Sequence, residues 1–196
     1  MIEKFATNLF QRLVNTSDLQ YDRIKYLKCK YAMEFLVLNI SKLFIVYIFA
    51  YTLGIMLEVV VFHISFMSIR IYAFGAHANN NLYCTIITVS LFIGAPLLIN
   101  QILIISKLSL ALLFLLNFVI IFKYAPACTG YQMYDEDERI LLRNRAIRIN
   151  FCLAMVSLLL PSLYFGNLIG VGAFLGAAML LPLTSHVLNG KKRGVA

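Results

Sequence analysis

Charge is scarce in this 196-residue chain: 13% of its residues are Asp, Glu, Lys or Arg, while 61% are hydrophobic and the mean hydropathy is +0.83. A soluble globular domain carries about twice that charged fraction. That class is excluded, and a polytopic membrane protein is expected. Metal-site patterns are missing too. The four cysteines, Cys29, Cys84, Cys128 and Cys152, form no C-x-x-C pair and have no histidine at ligand spacing. Neither a metal site nor a disulfide framework is expected, and no cofactor. Residues 1–30 lack an apolar core followed by a small-residue cleavage site, so no cleavable signal peptide is expected. Internal repeats and low-complexity linkers are also absent. The reading is one integral-membrane domain over 1–196. Acidic residues are few, and the net charge is +8. The basic residues flank apolar runs, which indicates membrane orientation and not a nucleic-acid partner.

What is present is apolar sequence in about six segments: 35–53, 55–69, 84–104, 107–123, 150–165 and 167–187. The fold class expected is all-α, a bundle of membrane helices. Several segments fall short of the roughly 20 residues that cross a bilayer untilted. The second and fifth are the weakest, so a four-span or re-entrant arrangement is the alternative. Before them, Ile2, Phe5, Leu9 and Leu13 share one helical face, which predicts a short interfacial helix. Arg23, Lys25, Lys28 and Lys30 then form a basic approach to the first span, so 1–30 reads as interfacial. With six spans and a cytoplasmic N-terminus, all but Lys42 and Lys107 of the 17 Lys and Arg fall on the inside. The positive-inside rule therefore places both termini, the stretch 70–84 and the loop 123–149 in the cytoplasm. That last loop has an acidic cluster, Asp135–Glu138, ahead of Arg139, Arg143, Arg145 and Arg148. A self-paired solvated helix is the expectation there, with a docking surface for a charged peptide as the alternative.

Between the second and third segments lies a polar island, residues 70–84, that holds His77 and Cys84. A thiol reacts as thiolate and needs a proton acceptor close by. In an unbroken helix the two side chains would stand about 10 Å apart along the axis, too far for proton transfer. Gly75 and the turn-favouring Asn79, Asn80 and Asn81 argue for a break. If Asn81 caps the next helix, Cys84 lies in its first turn, where the helix dipole favours a thiolate, and His77 can fold back from the loop.

Arg70, then Gly75, His77 and Ala78, then Cys84 seven residues after the histidine, resemble the AgrB family of membrane cysteine endopeptidases in Gram-positive quorum sensing. Tyr124-Ala125-Pro126-Ala127 resembles that family's short motif after its fourth hydrophobic segment, and the likeness covers nearly the whole chain. Phe74 departs from it, because many members have Gly there. The resemblance implies cleavage of an AgrD-type propeptide on the C-terminal side of its signal segment. Cys84 would form an acyl-enzyme, His77 would move the proton, and a Cys or Ser of the peptide would capture the acyl group as a thiolactone or lactone ring. Arg70, with Arg23, Lys25 and Lys28, is expected to hold substrate charge, and Asn79–Asn81 to support the loop.

Other polar residues have simpler readings. Glu58 and His63 lie five apart in the second segment, off a common face, and are expected to hydrogen-bond neighbouring helices. With Lys42 they also support the competing class, a small peptide transporter without proteolysis. Gly166, Gly170, Gly172 and Gly176 permit close helix contact and could serve a homodimer.

Overall fold

A computed structural model describes residues 23–75, 81–101, 105–127 and 135–184, and every described element is helical: α1 Arg23–Thr52, α2 Met56–Ala73, α3 Asn81–Gln101, α4 Lys107–Tyr124, α5 Glu136–Leu159 and α6 Leu163–Ala178. The interfacial helix expected over 1–14, along with His77, Asn79, Asn80 and Cys128, lies outside the described residues. Among the described residues, three helices are long and apolar enough to cross a membrane, Met56–Ala73, Leu82–Gln101 and Lys107–Tyr124. Leu163–Ala178 is apolar but shorter, and Asn39–Thr52 is the apolar C-terminal part of α1. This is a helical membrane protein, with three such helices among the described residues against the six spans expected.

The boundary that differs most concerns the expected loop 123–149 and the fifth segment. Glu136 to Leu159 is one 24-residue helix, so the charged stretch and the apolar stretch are its two halves. Glu136, Asp137 and Glu138 fill its first turn, where carboxylates complement the helix dipole. It ends at Leu160, immediately before Pro161, because a residue preceding proline is pushed out of the α region. The expected break near Gly166 is absent. That glycine lies inside α6 and makes a packing contact.

The chain divides into two compact units, Met1–Phe49 and Ala50–Ala196. Within the first, α1 carries Arg23, Lys25 and Lys28 in its first turns, continuous with the apolar stretch that follows. The second begins where α1 closes at Gly54, whose φ of +70° suits a residue without Cβ, with the Ile55 amide donating to the Ala50 carbonyl at 3.0 Å.

In this second unit α6 is the central helix. It shares its most extensive interface with α2 and also packs on α4 and α5. Lipid tails are as apolar as leucine, so apolarity alone does not drive membrane helices together; close van der Waals fit does. The α6 glycines supply it. A Cβ on Gly172 would sit 2.7 Å from the Phe62 carbonyl oxygen, and one on Gly176 would sit 2.9 Å from that of Phe66. Gly166 abuts the Ser157 carbonyl of α5 at 2.8 Å, and Gly170 abuts the Leu110 side chain of α4. All four are buried inside the chain and so are not free to form a homodimer face. Ile69, Ala73, Leu110, Phe114, Ile121, Ala146, Ile169 and Ala173 complete the core.

Two hydrogen bonds tie α5 into this packing, from Asn150 Nδ2 to the Phe114 carbonyl at 3.2 Å and from Ser157 Oγ to the Gly166 carbonyl at 2.9 Å. Asn117 and Asn167 are fully buried, and their amides have no partner among the described residues. Each unmet polar group costs about 1–3 kcal/mol. The bundle is held by fit and not by these side chains.

Candidate functional site

The ends of α2, α4 and α6 meet at one end of the second unit. Arg70 occupies the last turn of α2. Its guanidinium lies 5.7 Å from the Phe66 ring centroid, and the guanidinium and a Cys84 thiolate are within electrostatic reach of each other. The helix ends at Phe74 and Gly75. Gly75 has φ +132°, and a Cβ there would stand 2.8 Å from the Met179 carbonyl oxygen and 3.0 Å from Arg70 Nη1. Only glycine fits between the end of α6 and the guanidinium. Phe74, at φ +58° and ψ −140°, holds a conformation that glycine adopts readily and a phenylalanine does not.

Six residues after Gly75 the chain is helical again: Asn81 is the first residue of α3 and not the cap before it, so Cys84 stands fourth in the helix, one position beyond the expected third. It is a free thiol, partly buried. The Thr88 hydroxyl donates to the Cys84 carbonyl at 2.8 Å and leaves the sulfur aside. Arg70 and Gly75 are thus in contact, with Cys84 within electrostatic reach of the guanidinium; His77 belongs to the connection between Gly75 and Asn81.

The Tyr124–Ala127 segment, singled out in the sequence without a location, docks on this same place. The Ala127 amide donates to the Ala73 carbonyl at 3.0 Å, and Phe74 and Ala127 form a parallel bridge. Two motifs about fifty residues apart share one backbone contact. Sequence reasoning missed Met179 altogether, since an apolar residue that contributes only its carbonyl leaves no side-chain signal.

The remaining candidates lie elsewhere. His63 is buried in α2, with its ring 4.9 Å from that of Phe92 in an edge-to-face contact. Cys152 is an exposed free thiol on α5. Lys123 stacks on Tyr124 at 5.4 Å, Arg143 on Phe122 at 5.3 Å and Arg145 on Tyr72 at 6.0 Å.

Fold and site together describe a helical membrane protein with a thiol at the junction of two apolar helices. Residues 2–181 match the model of the family described as accessory gene regulator B, AgrB, and the chain belongs to that family. It is 34% identical to the accessory gene regulator protein B of Staphylococcus aureus, over 93% of each chain. It is 31% identical to a putative AgrB-like protein of Listeria innocua, over 92% of this chain and 89% of that one. A putative AgrB-like protein of Clostridium acetobutylicum is 27% identical over 96% of this chain and 90% of that one. Its role therefore lies in the accessory gene regulator system. No solved structure matches the chain.

Proposed function

We propose that the protein is a quorum-sensing cysteine endopeptidase, a single membrane domain that cleaves an AgrD-type propeptide and leaves the signal segment as a thioester on Cys84. The observation that carries this reading is the placement of Cys84 at the start of α3 within electrostatic reach of the Arg70 guanidinium. A helix N-terminus and a nearby cation are the surroundings in which thiols serve as nucleophiles. His77 is two peptide units from Gly75, which keeps its Cα within about 7 Å of the anchored glycine. In this mechanism the imidazole accepts the thiol proton, and the thiolate attacks the peptide carbonyl. The imidazolium then protonates the leaving amine. The first N–H groups of α3 lie at the end of the helix where the oxyanion develops. A Cys or Ser of the bound peptide then attacks the thioester and closes the ring. Thiol exchange is close to energy-neutral, so partial exclusion of water favours cyclisation over hydrolysis.

The substrate's negative charge is met by Arg70 together with Arg23, Lys25 and Lys28, and Asn79–Asn81 support the loop. Both termini and the 70–84 stretch face the cytoplasm, and the protein works as a homodimer through a face other than the α6 glycines. The charge asymmetry supports the sidedness, as does the meeting of the α2 and α4 ends, where the Ala127 amide reaches the Ala73 carbonyl. An impermeant thiol reagent on intact cells should reach a single Cys at Lys107 and leave one at Asn79 unlabelled; the reverse pattern would overturn the topology. For docking, the Arg23/Lys25/Lys28 triple Ala variant should lose more cleavage at low salt than an Arg145/Arg148 double Ala variant.

A further inference from the structure

Between the end of α4 and the first two turns of α5 lies a cavity of about 260 Å³, lined among others by Lys123, Tyr124, Glu136, Arg139 and Arg143. We propose that it binds the phosphate of an anionic glycerophospholipid. Glu136, Arg139 and Arg143 fall at i, i+3 and i+7, so one face of α5 presents two arginines a turn apart to Lys123. Like charges at this spacing repel. Three cations face a single carboxylate, and no carboxylate among the described residues forms an ion pair with Arg139 or Arg143. The Arg143 Nε is shut off from solvent and has no hydrogen-bond partner among the described residues. Its guanidinium is held over the Phe122 ring at 5.3 Å, which sets the arginine at the cavity wall beside Arg139 and Lys123. A phosphate diester offers two oxygens in the geometry a guanidinium fork matches.

What lies beside the cavity selects a lipid over a free anion. Lys123 and Tyr124 end a helix apolar enough to cross the membrane, so the cavity sits at headgroup level. Phe122 and Phe118, one turn apart with rings stacked at 6.0 Å, are 56% and 40% exposed and give a lipid-facing apolar track from the cavity towards the hydrocarbon core. A phosphate in the cavity with acyl chains on that track uses both surfaces at once. This site is separate from the thiol, and its test does not depend on the peptidase reading.

The experiment is native mass spectrometry of the detergent-purified full chain titrated with dioleoyl phosphatidylglycerol and with dioleoyl phosphatidylcholine. The intact protein should retain the anionic lipid in preference. Arg139→Gln/Arg143→Gln should lose that preference by about tenfold. Arg143→Lys should fall between, and Lys107→Gln at the far end of α4 should change nothing. Far-UV circular dichroism confirms that each variant is folded, and the Arg143→Lys result stands by itself if the double variant is not. Retention in excess inorganic phosphate is the expected result. Displacement by phosphate would make this a free-anion site, and displacement by an acidic peptide would make it a peptide dock. Either outcome overturns the lipid assignment, as does unchanged retention by Arg143→Lys together with the double variant.

Discussion

The two helix connections at this end of the bundle use their cations differently. At the α2–α3 connection a single arginine is packed on Phe66 and against Gly75, with a thiol within its electrostatic reach. At the α4–α5 connection three cations surround an open cavity. A cation wedged in place can act on a neighbouring reacting group, because its position is set before substrate arrives. Cations around a cavity act on what enters it. The number of basic residues in each stretch does not separate these roles; the atoms each one faces do.

Breaking the first connection chemically should have the largest effect. Cys84→Ala and Cys84→Ser should lower propeptide cleavage in proteoliposomes by about a thousandfold or more, while Cys152→Ala stays near the intact rate. Substantial cleavage by Cys84→Ala would show that the junction is structural only. His77→Ala should cost about a hundredfold or more, and His63→Ala much less, since His63 is packed against Phe92. If His63→Ala is the inactive variant, the base lies inside the bundle.

A smaller effect follows from geometry alone. Gly75→Ala brings a Cβ to 2.8 Å from the Met179 carbonyl at a φ of +132°. The clash and the backbone strain together should cost about 1–3 kcal/mol and shift Arg70, lowering cleavage by roughly tenfold. An equivalent Ala at Gly94, where nothing lies within 4 Å, should be silent in the same assay. Equal losses at both glycines would contradict the wedge.

The smallest expected change is a gain. Phe74→Gly removes a side chain from a left-handed backbone position, relieving about 1–3 kcal/mol of strain against a smaller entropy cost of about 0.5–1 kcal/mol. The thermal midpoint should hold or rise, with cleavage retained. A clear fall would mean that the Phe74 ring, and not its backbone, holds the loop against Ala127.

Much of this site was legible in the sequence for chemical reasons. Gly75, the asparagines and Cys84 mark a helix break followed by a helix start, and α3 begins at Asn81. The fold class followed from hydropathy. The fifth segment was misjudged because hydropathy changes sign in the middle of α5, while the backbone hydrogen-bonding that makes a helix does not. The α6 glycines were read correctly as close-contact residues, but sequence carries no information on whether the partner is this chain or a second copy; Phe62 and Phe66 of α2 supply the answer. The contact of Ala127 with Ala73 is between backbone atoms, so no side-chain pattern could announce it.

The central claim is that Cys84 carries the acyl group during cleavage. The most direct measurement is rapid acid quenching of the purified enzyme with its propeptide, followed by intact-mass and peptide-mapping mass spectrometry. The predicted result is a hydroxylamine-labile adduct of the signal segment on Cys84, present with intact His77 and missing in His77→Ala. Cleavage that proceeds with no adduct on Cys84, or with the adduct on another residue, would contradict the account.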